Sequence, residues 1–465
     1  MRLMPILVLL ALMPASPAAL AQTTIPKTDL ELKASYAPVV KDAAPAVVNI
    51  YTKRVVTQRM RSVFDDPFMR DFFGRSPGLN RQRVESSLGS GVIVDPKGII
   101  VTNNHVVENA GEIKVVLADR REFEAEVLLT DAQTDLAILR VETNSDLPFI
   151  DFADSDRAEV GDIVLAIGNP FGVGQTVTSG IVSALSRTAA SISDYQFFIQ
   201  TDAAINPGNS GGALVDVNGR LLGVNTAIYS RSGGSNGIGF AIPGNLVRQV
   251  VESAAGGERM VRRPWLGLQG TSVDSKVASA LGLDRPVGVI VGDIYPKSPG
   301  DRAGVREGDV IVAIGDQDIF DAEALRYRPA TRRAGDRIDL KLLRDGKQKT
   351  VSVKLDYPPE DPPRNETILD GQHPLSGVTI ANLSPALAEE LGRNPMGSGV
   401  VITAVDDTSL GRRYGIQPNL ALVQVNGVAI KDVKDVLRAV NTNSRVFVMQ
   451  LADQNGRVST LRVGR

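Results

Sequence analysis

The carboxy-terminal half of the chain repeats itself. Gly288-Val289 and Gly399-Val400, Ser298 and Ser409, Gly304 and Gly415, and Ile314 and Val425 all stand 111 positions apart. A shared spacing with glycines recurring at turn-like positions calls for two copies of one module of ordinary small-domain size. The stretch YPPEDPPRNE separates the copies, and its prolines and charges predict an extended linker. The preceding chain follows another pattern. From Ser86 to about Ile242 it is made of short β-rich runs with turn signals, at Pro96-Lys97-Gly98 and at Asn218-Gly219, which predict an all-β barrel or sandwich. A strand is predicted over 47–56 and a long loop over the Arg- and Phe-bearing residues 58–83. Helical spacing over 244–255, closed by Gly256-Gly257, marks the end of this unit. At about 150 residues per domain, 465 residues accommodate one larger domain and two small ones.

Composition narrows the chemistry. The chain has no cysteine, so thiol nucleophiles, disulfides, Cys-ligated zinc and iron–sulfur clusters are excluded. Its two histidines, His105 and His373, are too far apart for the two-histidine helical zinc motif. Any histidine chemistry therefore runs through one of two known residues, and neither metal nor cofactor is expected. With 51 basic and 53 acidic residues, nothing advertises nucleic acid or an anionic membrane. Residues 1–21 read as a signal peptide: Arg2, an apolar run from Leu3 to Met13, then Ala19-Leu20-Ala21 before Gln22. That apolar run is too short to span a bilayer.

The sequence PGNSGG places Ser210 among glycines. It also satisfies G-x-S-x-G, but that elbow needs a following helix and a downstream histidine. Here a β hairpin follows, and the downstream His373 lies beside the linker. Upstream, TNNHVV places His105 at the end of a β run and TDLAILRV places Asp135 at the mouth of another. The order His105, Asp135, Ser210 is that of chymotrypsin-type double barrels. Asp131 is the rival carboxylate; Asp135 is preferred because it opens the apolar run LAIL. In such a triad the imidazole takes the serine proton while the aspartate orients the ring. Gly208 and Ser210 are the natural oxyanion donors, because Pro207 has no N–H and glycine permits the required backbone turn. Asn209 cannot pair with a freed N-terminal amine as an aspartate would, which predicts control by loop ordering rather than by precursor nicking.

These motifs, with GNSGGALVDVNGRLLGVNTAI and GIGFAIP, resemble the Do-like (HtrA; DegP/DegQ type) periplasmic serine proteases. The resemblance implies a mainly β protein: a chymotrypsin-like double β-barrel protease domain over 35–258, a first α+β PDZ domain over 262–357, a linker over 358–372 and a second, divergent PDZ domain over 373–465. It implies an ATP-independent serine endopeptidase for unfolded envelope proteins, with periplasmic location and possible chaperone activity. Implied partners are unfolded polypeptides, peptide C-termini and copies of the chain itself in a trimer or larger assembly, with no nucleic acid and no obligatory membrane span. Asn225, Thr226, Ala227 and Ile228 would line the specificity pocket, where Ile228 favours small aliphatic side chains. Arg187 would sense the first PDZ domain, and Trp265, Leu266, Gly267 and Leu268 would bind a peptide carboxylate. Phe64, Phe68, Phe72 and Phe73 fit either a satellite core or an oligomer contact. In the second module Asn419-Leu420 replaces Gly308-Asp309, so peptide binding and a packing or assembly role stand as alternatives there. A chaperone or PDZ scaffold with secondary proteolysis is the alternative reading of the whole chain, and an esterase a further one.

Overall fold

Two strand-rich barrels lead the chain. The computed structural model describes residues 35–59, 80–169, 174–187, 197–206, 208–228, 235–258, 260–441 and 446–464; the side chains of 54–59, 80–87, 186–187 and 227–228 lie outside that description. The first barrel uses β1 (Val47–Arg59), β2 (Asn80–Asp95), β3 (Ile99–Thr102), β4 (Glu112–Val116), β5 (Glu122–Asp131) and β6 (Leu136–Val141), closed in the order β1-β2-β3-β6-β5-β4. The second uses β7 (Ile163–Gly168), β8 (Thr176–Arg187), β9 (Phe198–Thr201), β10 (Ala213–Val215), β11 (Leu221–Ile228) and β12 (Gly239–Pro243), closed as β10-β11-β12-β9-β8-β7. Closure leaves no strand edge, and inward β-branched and aliphatic residues such as Val48, Ile50, Ile100, Ile138, Val164 and Ile199 fill the interiors.

The two turn signals are where the sequence puts them. Gly98 takes φ +92°, and a Cβ there would lie 2.4 Å from the Val141 carbonyl, so only glycine fits this turn between β2 and β3. At Asn218-Gly219, Asp216 Oδ1 accepts from the N–H groups of Asn218 (2.8 Å) and Arg220 (2.9 Å), pinning the hairpin. The expected loop over 58–83 is corrected at both ends: β1 and β2 form a ribbon in register from Val47 opposite Val92 to Arg59 opposite Asn80. The Phe cluster and residues 1–21 lie outside the described residues. No helix among the described residues is long and apolar enough to cross a membrane.

A one-turn helix, α1 (Asn104–Val107), follows β3, and α2 (Gly244–Ala255) closes the barrel unit, burying Leu246, Val247, Val250 and Ala254 against it. The first module follows: β13 (Leu268–Ser272), β14 (Val289–Ile294), β15 (Val310–Ile314), β16 (Gln317–Asp318), β17 (Arg337–Arg344) and β18 (Lys347–Lys354), in the order β13-β14-β15-β17-β18 with β16 on β15. Its helix α3 (Ala322–Ala330) seats the module on the barrels. Tyr327 stacks on Phe197 with ring centroids 3.7 Å apart, and Arg328 reaches Asp156 at 2.7 Å, both side chains largely buried. In the body of the module Asp309 is buried against Arg344 (2.6 Å). Burial alone would push the Asp309 carboxyl up, but the Arg344 guanidinium and the Arg306 N–H more than offset this and hold it below the ordinary carboxylate range. A depressed carboxylate stabilises the fold above its unfolded-state value, about 3.9, and that contribution is lost as pH falls through the lower folded value. Thermal unfolding from pH 7 down to pH 2 is therefore expected to show a steep acid limb below about pH 4, and Asp309→Asn is expected to flatten it.

The second module repeats the plan with β20 (Val378–Asn382), β21 (Val400–Val405), β22 (Ala421–Val425), β23 (Val428–Ala429), β24 (Val446–Ala452) and β25 (Val458–Gly464), together with α4 (Pro385–Glu390) and α5 (Val433–Val440). One strand has no counterpart in the first copy: β19 (Thr367–Leu369) pairs with β20. It falls within 358–372, so the expected linker is corrected: its last residues belong to the second sheet. His373, the residue expected beside the linker, packs inside the second module. It is buried, with Nε2 3.1 Å from the Asp370 carbonyl and its ring stacked near Phe447.

Candidate active site

Hydrogen bonds tie His105 to Asp135 and bring both Asp135 and Ser210 onto Thr226, so the three residues meet on elements contributed by both barrels. Asp135 ends the turn between β5 and β6 with φ +58°, a left-handed backbone that is costly for a residue with a Cβ. It is held there through its carbonyl, which accepts from the Asn104 N–H (3.1 Å) and from Asn103 Nδ2 (2.9 Å). Its carboxylate accepts from three donors: the His105 backbone N–H (3.0 Å), His105 Nδ1 (2.8 Å) and Thr226 Oγ1 (2.6 Å). With Nδ1–H directed at a carboxylate, the lone pair is on Nε2 of a half-exposed ring. Thr226 thus acts differently from the expected wall of a specificity pocket: it buttresses Asp135 from the second barrel.

Ser210 sits on a loop clamped from the first barrel. Ser90, fully buried, donates from Oγ to the Gly208 carbonyl (2.6 Å) and accepts there from the Asn169 N–H (2.9 Å). Its N–H donates to the Ser210 carbonyl (2.9 Å), and its own carbonyl accepts from Thr102 Oγ1 (2.7 Å). Gly211 (φ +83°) passes so close to this clamp that a Cβ would lie 2.1 Å from the Ser90 carbonyl, which is why glycine follows the serine. The Asn209 N–H is taken by the Asn206 carbonyl (2.9 Å), whereas the N–H groups of Gly208 and Ser210 have no hydrogen-bond partner among the described residues. The Ser210 hydroxyl donates to the Thr226 carbonyl (3.2 Å) rather than to the His105 ring. Ser90→Ala leaves the part-buried Gly208 carbonyl and the buried Asn169 N–H without their partner, at a cost of about 1–3 kcal/mol. It is expected to lower the unfolding midpoint and to reduce kcat more than it raises KM.

Asp131, the rival carboxylate, lies at the other end of the same turn and does not approach His105. It forms a buried ion pair with Arg263, accepts from the Thr134 hydroxyl, and accepts at Oδ1 from the Gln133 N–H (3.3 Å). Gln133 in turn accepts from Arg263 Nη1 (3.4 Å) and donates to the Glu389 carbonyl of the second module. The turn that ends in Asp135 is therefore where the barrels, the residues entering the first module and the second module meet.

Comparison with known proteins agrees with this architecture. Residues 89–224 match the trypsin-like peptidase domain and residues 264–355 the PDZ domain. The periplasmic serine endoproteases DegP of Salmonella typhimurium and of Escherichia coli K12 are each 38% identical over 95% of this chain and 94% of their own. The chain belongs to the HtrA (Do-like) serine protease family. Escherichia coli DegQ, a periplasmic pH-dependent serine endoprotease, is 37% identical over 90% of each chain. Two solved structures of the HtrA-type protease AlgW also match. The complex with a decapeptide has 44% identity, covers 70% of this chain and 99% of that one, and has a TM-score of 0.50. The complex with a tripeptide has 42% identity, covers 70% and 98%, and has a TM-score of 0.51. The chain is thus a periplasmic serine endopeptidase with PDZ domains.

The remaining expected residues of this HtrA protease fall into three groups. Asn225 is buried and donates from Nδ2 to the Ala213 carbonyl (3.0 Å), so it braces β11 rather than facing a ligand. The side chains of Ala227, Ile228 and Arg187 lie outside the described residues. Trp265, Leu266, Gly267 and Leu268 line a cleft of about 380 Å3 together with α3, which offers Ala322, Leu325 and Pro329. Gly267 (φ +67°) packs on Ser298, where a Cβ would be 2.2 Å from that side chain. The Gly308-Asp309 pair whose loss put the second module in question is not among the residues lining this cleft: the Gly308 N–H donates to the Val291 carbonyl (2.9 Å) and Asp309 pairs with Arg344.

Proposed function

We propose that Ser210 is the nucleophile of this protease, His105 its general base and then acid, Asp135 the carboxylate that orients the ring, and the N–H groups of Gly208 and Ser210 the donors to the oxyanion. The observation that carries this reading is the three-donor arrangement on Asp135, which fixes the His105 ring through Nδ1 and leaves the lone pair on Nε2. Attack forms a bond from Ser210 Oγ to the scissile carbonyl carbon while His105 takes the hydroxyl proton. The same proton then goes to the leaving amine, and water hydrolyses the acyl-enzyme. The hydroxyl must first leave the Thr226 carbonyl, so the resting geometry is one step from the attacking one, in keeping with control by loop ordering.

Substrates are exposed, unfolded polypeptides, which can lie extended in an open cleft. The first module receives their free C-termini along β13, as fits a family in which AlgW has been solved with a decapeptide. Chains assemble as trimers or larger homo-oligomers. Fluorophosphonate labelling followed by peptide mapping tests the chemistry: the expected result is one adduct, on Ser210, with loss of casein cleavage. An adduct elsewhere, or a labelled protein that still cleaves casein, overturns the assignment.

A further inference from the structure

The two modules are built alike and differ where a peptide would lie. β13 and β20 are counterparts, as are the loops before them: the Gly267 carbonyl accepts from the Tyr295 N–H as that of Gly377 accepts from Asp406, and each glycine packs on a serine, Ser298 or Ser409. In the first module β13 is the outermost strand, and the Gly267 N–H has no hydrogen-bond partner among the described residues. In the second, β19 already lies against β20. It runs antiparallel with Leu369 opposite Val378, and the Gly377 N–H donates to the Leu369 carbonyl at 2.8 Å. β19 approaches the loop with the polarity of an added peptide whose last residue is held there, and Leu369 is buried in a core shared with Val433 and Val436 of α5. The chain fills this groove itself.

The second module is turned instead toward the groove of the first. The cleft between β13 and α3 has a further wall made of Glu389 and the segment Gly392–Met396, and Asn394 Nδ2 donates to Gln269 Oε1 on β13 at 3.1 Å. That wall is held by the residue at which the second copy departs from the first. Asn419 occupies the position of Gly308 and keeps its left-handed backbone (φ 65° against 84°). Its Oδ1 accepts from Arg393 Nε (2.7 Å) and its Nδ2 donates to the Leu391 carbonyl (2.8 Å), so it ties down the start of the wall segment; a glycine would hold neither. Glu323 lines the same cleft, where burial pushes its carboxyl up, as an apolar enclosure does.

We infer that the two modules form one peptide site per chain, in which the Arg393–Met396 segment is the outer wall of the first module's cleft. Its ligand is the extended end of a polypeptide that adds to β13, places its carboxylate at the Gly267 N–H and packs an apolar side chain against Pro395 and Met396. This rests on the reading that the first cleft takes a free C-terminus.

Trp265 is the only tryptophan in the chain and lines the cleft, so its emission reports occupancy. The experiment titrates full-length Ser210→Ala protein, which cannot consume the ligand, with a peptide of about ten residues ending in Thr-Ile-Leu, the sequence of β19, as the free acid and as the amide. One peptide per chain is expected, with the acid bound more tightly. Asn419→Gly, which suits the left-handed backbone, and Met396→Asp, which alters only the wall, are each expected to weaken binding about tenfold or more with the unfolding midpoint retained. Two peptides per chain overturn the inference, and so does unchanged or tighter binding by both variants. Failure of the parent to bind, or equal binding of acid and amide, overturns the underlying reading of the first cleft and the inference with it.

Discussion

Ser210→Ala is expected to lower the rate of casein hydrolysis on the order of 10⁶-fold while leaving the fold intact. The activity loss is large because no other group can supply the attacking oxygen in the geometry set by His105. The residual rate is that of a site still able to bind substrate and stabilise an oxyanion. The stability change is small because the hydroxyl makes one hydrogen bond, to the Thr226 carbonyl at 3.2 Å, worth about 0.5–1.5 kcal/mol. Steady-state kinetics alongside calorimetry separates these effects: activity lost in proportion to folded protein would make Ser210 a structural turn residue. Adding His105→Ala to Ser210→Ala is expected to cost little more, since the two act as a unit. The same inactive protein, incubated with an aggregating client, distinguishes a protease that also holds unfolded chains from one that only cuts them.

Chain order made the proposed reacting residues legible, because a serine between glycines, a histidine closing one β run and an aspartate opening another leave few alternatives in a chain with two histidines. What holds them was not legible. Ser90 sits in the run LGSG, where nothing marks it as the clamp on the serine loop; its partners, Gly208 and Asn169, come from the other barrel. Thr226 was placed in the pocket wall by the family resemblance, with the rest of the run from Asn225 to Ile228. The pairing of β11 with β12 slips between Asn225 and Ala227, and the extra residue of this bulge is re-aimed at Asp135. β19 was hidden for a related reason: three residues after a proline-rich stretch have no period of their own, and only the free edge of β20 makes them a strand. The departure at Asn419-Leu420 was visible as a difference between copies, but its consequence depends on Arg393, 26 positions away, and so appears only in three dimensions.

Arg263→Ala is the second large expected effect, this time on stability and through it on Asp135. Arg263 and Asp131 are both buried, at 2% and 7% side-chain exposure. Two charges in that setting gain little over an apolar pair, but removing one strands the other. The cost of breaking a buried ion pair is about 3–5 kcal/mol, a large share of the stability of an ordinary domain. Asp131→Asn with Arg263→Met removes both charges and keeps most of the volume, so it is expected to recover much of that loss; the coupling measured in the double-mutant cycle should be strongly favourable. Asp131 also organises the turn through Thr134 and the Gln133 N–H, and Asp135 ends that turn in a backbone conformation it does not favour. The double variant should therefore regain stability ahead of kcat, with KM for a short peptide little changed. A variant that regained both together would show that the ion pair only holds the domains, without positioning Asp135. Gln133 carries the same turn to the Glu389 carbonyl, and Glu389 lines the cleft beside β13, so the turn that ends in Asp135 is hydrogen-bonded to a segment that walls that cleft.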